Sequence, residues 1–346
     1  MNQDLATGQQ QAGEASPAQP DDRLRRLRLW VSSCLEQPVR RISPASEDAS
    51  FRRYFRVETA AETFIVMDAP PDKEDCRPFL DVTERLLAVG VNAPRVHRRN
   101  LDEGFLLLSD LGSTTYLANL DAASAEALYA DAFSALLRIQ RADATGLPPY
   151  DHALLWREMM LFKDWFVERR LGITLHARQE AALLAAFEML AAAALAQPLC
   201  FVHRDYHSRN LMVVPDGNPG VLDYQDAVHG PITYDLLSLL RDAYVAWPRE
   251  RVETWVRDYS RRAQLCELWP RVGSETVLRW FDLMGAQRYL KIIGIFSRLW
   301  LRDGKARYLD DIPRVIGYLM DSIGRYPEMH PLYTLLQDLN INRQIP

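Results

Sequence analysis

The hydrophobic pattern divides the chain into a strand-rich first part and a helix-rich second part. In the first part, FRRYFRV (residues 51–57) alternates in character and FIVM (64–67) is a short apolar run, which predicts two antiparallel strands. GFLLLSDLGS (104–113) predicts a further strand with a polar exit. Apolar residues at helical spacing predict amphipathic helices over residues 23–36 and 77–89.

The second part is rich in alanine and leucine and contains one β-like island. Four long helices are predicted there, over residues 123–141, 150–168, 176–196 and 275–301. Between them, residues 200–226 read as strand, loop, strand, a Pro-Asp-Gly-Asn-Pro turn and a third strand. We therefore expect an α+β fold of two lobes. The expected boundaries are a disordered tail at 1–22, a small β-rich N-terminal lobe at 23–112 and a larger, mostly helical C-terminal lobe at 113–346.

Composition narrows the classes of protein that fit. Of the 346 residues, 48% are hydrophobic and 25% charged, and no apolar run approaches the roughly 18 residues that a membrane span requires. The first 22 residues lack the features of a secretory signal, and the four cysteines are too scattered for a disulfide framework or a C-x-x-C site. A net charge of -5 argues against a general nucleic-acid binder. We expect a cytoplasmic protein with no membrane or nucleic-acid partner and no evident obligate protein partner.

The island carries the clearest chemistry. In HRDYHSRN (203–210), Asp205 follows a buried strand and precedes Asn210 by five residues. A carboxylate here can accept a proton from a hydroxyl, and the amide oxygen can bind a divalent cation that bridges phosphates. Asp223 follows the apolar pair Val221 and Leu222 and supplies a second hard oxygen ligand. These residues predict a nucleotide-type Mg²⁺ site.

Several longer stretches resemble the aminoglycoside phosphotransferase family of kinase-like folds. Within that family the chain is most similar to the bacterial N-acetylmuramate/N-acetylglucosamine 1-kinases of peptidoglycan recycling. The resemblance spans about residues 48–310 and rests on DASFRRYFRV, IVMDAPPDKED, GFLLLSDLG, VHRDYHSRNLM, GVLDYQDAVHGPITYDLLSLLRDAYV and GIFSRLWLRDGKARYL.

The resemblance implies a protein-kinase-like fold of two lobes with ATP and Mg²⁺ between them. It implies that Asp205 is the catalytic base, that Asn210 and Asp223 bind the metal, and that Asp235 has a structural role in steadying the catalytic loop. It also implies that the connector Ser109, Asp110 and Leu111 meets adenine through its backbone.

One departure from the family pattern concerns the phosphates. Related kinases place a lysine on the third strand, whereas Met67 stands at about that position here and no lysine is near. We expect Arg52 and Arg53, beside the small-residue loop that ends at Ser50, to take its place, because guanidinium groups bind phosphate well.

Alternatives remain open at this point. His203, Asp205 and His207 alternate like ligands of a zinc site, although no second His or Cys cluster accompanies them. The acceptor could be an aminoglycoside, choline or another amino alcohol rather than an amino sugar, or the chain could be a nucleotide-binding scaffold without activity. Five residues are candidates for contact with the acceptor and are equally explained as turn or surface residues: Asp226, His229, Arg241, Arg288 and Lys291.

Overall fold

The computed structural model describes residues 22–47 and 51–341. These residues form two compact units. The first comprises the described residues up to Glu74 together with His97–Leu108, and the second comprises Asp75–Val96 and the described residues from Ser109 onward. Residues 75–96 thus fall in the second unit, whereas the sequence pattern places them in the N-terminal lobe.

The first unit is built on a five-stranded sheet in the order β1-β2-β3-β5-β4. Its strands are β1 (Arg41–Glu47), β2 (Arg53–Glu58), β3 (Thr63–Asp68), β4 (Val96–Asn100) and β5 (Phe105–Ser109). The antiparallel pair β2 and β3 confirms the two strands predicted around residues 51–67, with Phe55 opposite Val66. The edge strands β1 and β4 were not predicted. β1 contains Pro44 and a register shift after it, and the middle of β4 is exposed, so neither shows a strand-like apolar pattern.

Helix α1 (Asp22–Cys34) supplies the core of this unit. Leu27 and Val31, one turn apart on its apolar face, are fully buried in one cluster with side chains from the sheet. The sheet contributes Val57, Val66 and Leu107 to that cluster. The opening amphipathic helix is therefore confirmed, and it covers one face of the sheet.

The second unit is mostly helical. Its α-helices are α2 (Arg77–Ala88), α3 (Tyr116–Asn119), α4 (Ala125–Ile139), α5 (His152–Leu161), α6 (Ala177–Leu195), α7 (Tyr234–Leu240), α8 (Arg249–Leu265), α9 (Ser274–Asp303), α10 (Ile312–Ile323) and α11 (His330–Asp338). Two 3₁₀-helices lie at Ala306–Asp311 and Pro327–Met329. The four long helices predicted from the sequence are present. The one predicted over 150–168 differs, because after α5 the chain continues as a π-helix at Phe162–Arg170.

The α5 and π-helix segment lies directly against α9. Gly294 of α9 lies so close to Leu161 that a Cβ atom on it would be 2.6 Å from the Leu161 carbonyl oxygen. Contacts advance in the same direction along both segments, from Glu158–Lys291 to Leu161–Gly294 to Arg170–Trp300. The two segments therefore run parallel, with backbone against backbone at Gly294.

Four short strands carry the island. β6 (Leu199–Val202) pairs antiparallel with β9 (Val228–Pro231), and β7 (Leu211–Met212) pairs antiparallel with β8 (Gly220–Val221). The predicted sequence of strand, loop, strand, turn and strand is confirmed. Across residues 22–47 and 51–341, none of the helices has the length and apolar character needed to cross a membrane.

Candidate active site

The loop at residues 203–210 connects β6 to β7 and is held by carboxylates at the two ends of α7. Asp235 accepts a hydrogen bond from the backbone N–H of His203 at 2.7 Å through one oxygen and from that of Arg204 at 3.0 Å through the other. Asp242, just after α7, accepts from the backbone N–H of Ser208 at 2.9 Å. Both ends of the loop are therefore fixed to one short helix, and Asp235 makes the loop-steadying contact that the sequence suggested.

Asp205, Asn210 and Asp223 lie together, as the sequence predicts. The Asn210 side-chain N–H₂ donates to the backbone carbonyl of Asp205 at 3.0 Å and to Oδ2 of Asp223 at 3.2 Å. Gln225 donates to the other Asp223 oxygen at 2.9 Å. The Leu222 N–H donates to the Asn210 backbone carbonyl at 2.9 Å. The bonds from Asn210 to Asp223 and from Leu222 to Asn210 join the loop to the segment after β8, so that the three predicted residues share one small region.

The donor set fits a magnesium ion. Both bonds made by the Asn210 side chain use its amide nitrogen, which leaves the amide oxygen as the donor atom for a cation beside the Asp223 carboxylate. One carboxylate and one amide oxygen are hard ligands that leave coordination positions for phosphate and water. Within the described part of the chain, no group of three or more His, Cys, Asp or Glu side chains is arranged to hold a metal ion. His203 is fully buried, and its Nδ1 accepts from the Asp205 N–H at 3.2 Å, so the zinc alternative gains no support.

Two residues of this region hold a backbone conformation that favours glycine. The φ angles of Arg204 and Asp223 are 77° and 63°. Among the described residues only two other non-glycine residues have a positive φ, and both lie far along the chain, at Glu267 and Asn340. Strained backbone of this kind persists where surrounding contacts enforce it and is concentrated at functional sites.

A buried ionic cluster adjoins the loop. Glu158 of α5 is only 5% exposed, and its Oε1 lies 2.5 Å from Nη2 of Arg204 and 3.0 Å from Nζ of Lys291. Its Oε2 accepts from the Tyr150 hydroxyl and from Nε2 of Gln287. Burial raises the pKa of Glu158, but the charges of Lys291 and Arg204 outweigh it, so the pKa is lowered and the carboxylate is ionised.

The same cations act on Asp205. Burial raises the pKa of Asp205, and the positive charges of Lys291, Arg204 and Arg288 contribute to more than offsetting this, so that its pKa lies below the ordinary value. Asp205 is therefore anionic at neutral pH. An ionised carboxylate can accept a hydrogen bond from a substrate hydroxyl and take up its proton as the reaction proceeds.

The five candidates for acceptor contact have different surroundings. Arg288 and Lys291 belong to the charged neighbourhood of Asp205. Arg241 instead pairs with Asp321 at 3.0 Å. Asp226 is exposed and His229 lies in β9, where its backbone N–H donates to the Pro148 carbonyl and its carbonyl accepts from the Tyr150 N–H. Two of the five candidates are thus brought to Asp205.

The candidate phosphate-binding arginines lie in the first unit and pair with acids there. Arg53 lies 2.5 Å from the fully buried Asp68, and Arg52 lies 3.2 Å from Glu74. Met67, at about the position where the family resemblance leads us to expect a lysine, is buried in β3. Ser50, the remaining candidate in this region, lies outside the described residues.

The connector Ser109–Leu111 lies in the second unit. The Ser109 hydroxyl accepts from the Arg95 N–H at 2.8 Å, and Asp110 Oδ1 accepts from the Gly112 N–H at 2.9 Å. Leu111 packs so tightly on Gly220 of β8 that a Cβ atom there would be 2.9 Å from its Cδ1 atom. The connector therefore abuts the strand that leads to Asp223.

Sequence reasoning misses Glu158 and Arg204 as members of this cluster. The pattern shows Arg204 only as part of the loop and Glu158 only as one residue of a predicted helix. One signal is present, because Glu158 directly precedes four apolar residues at positions 159–162. A charge beside such a run is seldom buried without a partner.

The comparison with protein families decides the affiliation. Residues 41–273 match the phosphotransferase enzyme family. The chain belongs to this family. It is also 47% identical to the N-acetylmuramate/N-acetylglucosamine kinase of Pseudomonas putida, over 92% of this chain and 97% of that protein. It is 42% identical to the protein of the same name from Neisseria meningitidis, over 91% of this chain and 95% of that one.

Solved structures support the fold of this phosphotransferase. A choline kinase from Streptococcus pneumoniae superposes with a TM-score of 0.61 at 15% identity, over 87% of this chain and 100% of that one. An ADP-bound aminoglycoside phosphotransferase gives a TM-score of 0.57 at 13% identity, over 85% of this chain and 97% of that one. The predicted kinase-like α+β fold and the predicted family are thus confirmed, as is the prediction of a phosphotransferase.

Proposed function

We propose that this protein is an ATP-dependent kinase that phosphorylates the anomeric hydroxyl of N-acetylmuramate and N-acetylglucosamine, as part of peptidoglycan recycling. The names of its relatives from Pseudomonas putida and Neisseria meningitidis support the acceptor. The family supports phosphoryl transfer. ATP as donor, Mg²⁺ as metal and a cytoplasmic location without an obligate protein partner belong to the same proposal.

The bonds from Asn210 to Asp205 and Asp223 carry the proposal. In this scheme the ionised Asp205 accepts a hydrogen bond from the sugar hydroxyl and orients its oxygen toward the γ-phosphorus of ATP. It takes up the proton as the new P–O bond forms and the bond from the γ-phosphorus to the bridging oxygen breaks, which releases ADP. Asn210 and Asp223 would hold the magnesium ion, which neutralises phosphate charge when bound. Because one amide group touches both partners, base and metal ligands keep a fixed spacing.

The nucleotide contacts are assigned to two segments. We assign adenine to the backbone of the connector Ser109–Leu111, where the packing of Leu111 on Gly220 links the connector to the strand before Asp223. We assign the phosphates to Arg52 and Arg53, with Ser50 beside them, because β3 offers a buried methionine instead of a lysine. The ion pairs with Glu74 and Asp68 hold both guanidinium groups in place.

The charges around Asp205 bear on the acceptor. Arg204, Arg288 and Lys291 are balanced by the carboxylates of Glu158, Asp205 and Asp242. These six groups therefore carry no excess of negative charge that would favour a cationic aminoglycoside or choline over a neutral or anionic sugar.

Acceptor-dependent ATP hydrolysis tests the proposal. We expect turnover with N-acetylmuramate and N-acetylglucosamine, not with choline or an aminoglycoside, and a product with one added phosphate that no longer reacts as a reducing sugar. Asp205→Ala should lower kcat by about 10²- to 10⁴-fold, the range given by loss of a general base. Asp223→Asn should raise the Mg²⁺ concentration needed for half-maximal rate. A wild-type protein that turns over none of the four acceptors would contradict the proposal and favour a scaffold role.

A further inference from the structure

The guanidinium group of Arg288 has donors that lack acceptors. Arg288 lies in α9 and is 4% exposed. Its Nη2 donates to the Ser238 hydroxyl at 2.7 Å, and its carbon atom Cζ lies 5.9 Å from the centre of the Tyr234 ring. Its Nε and Nη1 atoms are buried and have no hydrogen-bond partner among the described residues. Leaving buried charged donors unpaired is costly, so this position calls for an acceptor that the chain itself does not supply.

The other cations of the cluster differ from Arg288 in this respect. Arg204 and Lys291 both bind Oε1 of Glu158, and Lys291 also donates to the Tyr234 hydroxyl at 3.0 Å. Arg204 has one buried donor atom without a partner, its Nε, whereas both of its terminal nitrogens donate. Among these three cations, Arg288 therefore has a terminal guanidinium nitrogen, Nη1, that can donate a hydrogen bond to a ligand.

The acids near Arg288 do not neutralise this group. The carboxylates of Asp205, Asp242 and Asp235 act on Arg288. Asp235 already accepts from the backbone N–H groups of His203 and Arg204. Asp242 already accepts from the backbone and hydroxyl of Ser208. Asp205 is the proposed base, so its oxygens serve the acceptor hydroxyl. The buried donors of Arg288 are therefore available to an anionic part of the acceptor.

We propose that Arg288 binds the carboxylate of a sugar acid and so determines the preference of the enzyme among acceptors. The inference rests on the proposed function. N-acetylmuramate carries a lactyl carboxylate on C3, and N-acetylglucosamine has a hydroxyl there. Arg288 and Lys291 lie against the same Tyr234 side chain, and Lys291 shares Glu158 with Arg204, the residue before Asp205. With the anomeric hydroxyl at Asp205, the substituent on C3 of the same ring would therefore extend toward Arg288. The lactyl carboxylate would accept a hydrogen bond from an N–H group of Arg288 that has no partner within the chain. Since the phosphorylated product differs from the substrate only at C1, this contact would persist through the reaction.

The preference can be measured by comparing acceptors in matched variants. Arg288→Met removes the guanidinium group and keeps an unbranched side chain. We expect it to lower kcat/KM for N-acetylmuramate by about 10- to 100-fold, mainly through KM, which is the factor a charge-assisted hydrogen bond supplies. The value for N-acetylglucosamine should fall clearly less, because that sugar makes no ionic contact with Arg288 and loses only the effect of the Arg288 charge on Asp205. Arg279→Met is the matched control, since Arg279 lies on the same helix, is exposed and pairs with Glu328. It should change neither value.

A second measurement avoids mutation altogether. With the wild-type protein, the lactyl methyl ester of N-acetylmuramate should show the same rise in KM that Arg288→Met causes for the free acid. If thermal melting shows that Arg288→Met is not folded, the comparison of the ester with the free acid still tests whether the carboxylate is bound.

Four results would overturn the inference. Equal losses for both acceptors in Arg288→Met would mean that Arg288 serves the phosphoryl group or the base. An ester used as well as the free acid, or an unchanged variant, would mean that water satisfies Arg288. If the wild-type protein phosphorylates neither sugar, the proposed function itself fails, and this inference fails with it.

Discussion

The close approach of α9 to the start of the π-helix makes Gly294 the most sensitive small residue of the second unit. In Gly294→Ala, the new Cβ atom would lie 2.6 Å from the carbonyl oxygen of Leu161 and 2.6 Å from the backbone nitrogen of Phe162. Ordinary contacts of this kind begin near 3.4 Å, so the two segments must separate by about 1 Å. A rotamer change cannot relieve this clash, because both sides of the contact are backbone.

The cost can be set against the gain that alanine brings to a helix. Overpacking a core costs about 1–3 kcal/mol, and a clash between two backbones belongs at the upper end of that range. Alanine in place of glycine within a helix returns about 0.5–1 kcal/mol. We therefore expect Gly294→Ala to lower the free energy of unfolding by about 2 kcal/mol. The separation would also stretch the contact between Glu158 and Lys291, which lies about one turn before it, so turnover should fall as well.

Gly317→Ala provides the matched control. Gly317 lies within α10, and a Cβ atom there would meet nothing within 4 Å. The same substitution should therefore raise the free energy of unfolding by about 0.5–1 kcal/mol. Equilibrium unfolding in urea, followed by the fluorescence of the eight tryptophans, measures both variants. If Gly294→Ala proves as stable as the wild type, the tight backbone contact between α9 and the π-helix is wrong.

Three further predictions concern the buried groups around the loop. Glu158→Gln should lower the free energy of unfolding by about 3–5 kcal/mol, because it removes the carboxylate that pairs with Arg204 and Lys291. The control Glu328→Gln, in an exposed ion pair, should lower it by less than about 1 kcal/mol. Similar urea midpoints for the two variants would contradict this prediction. Asp235→Asn should lower the free energy of unfolding by about 1–3 kcal/mol, since the new amide N–H₂ would face one of the two backbone N–H donors. Hydrogen exchange at the Arg204 backbone amide should become faster. Unchanged exchange and unchanged stability would count against the contact. Burial lowers the pKa of His203 to about 4, so the stability gained from keeping this side chain neutral is complete above about pH 6.5 and is lost as the pH falls through 4. In urea titrations at pH 7 and pH 4, the wild-type protein should lose about 3 kcal/mol of its free energy of unfolding, and a His203→Asn variant should not. A parallel fall in both proteins would refute this prediction.

The sequence is sufficient to predict the long helices and the local order of Asp205, Asn210 and Asp223. Long elements with regular apolar spacing, such as α1 and α9, are readily predicted because burial repeats every turn. Asp205, Asn210 and Asp223 lie along a strand-turn-strand segment, and this order restricts where their side chains can go. Their roles rest on the family resemblance and stay predictions.

The sequence was insufficient where tertiary contacts decide. The edge strands β1 and β4 have few buried positions, so their pairing depends on their neighbours rather than on their own pattern. The π-helix begins at the contact with Gly294, which joins segments that are distant in sequence. Glu158 was missed for the same reason, since its partners Lys291 and Arg204 are distant along the chain.

The way α7 holds the loop at residues 203–210 has a consequence for how this enzyme can change. Asp235 and Asp242 bind main-chain N–H groups, so these three contacts do not depend on which side chains the loop carries at the bonded positions. Side chains of the loop can therefore be exchanged, in evolution or by design, while the backbone that carries Asp205 stays where it is. If Asp205 is the base that we propose, new acceptor preferences are open to this scaffold without rebuilding its reaction centre.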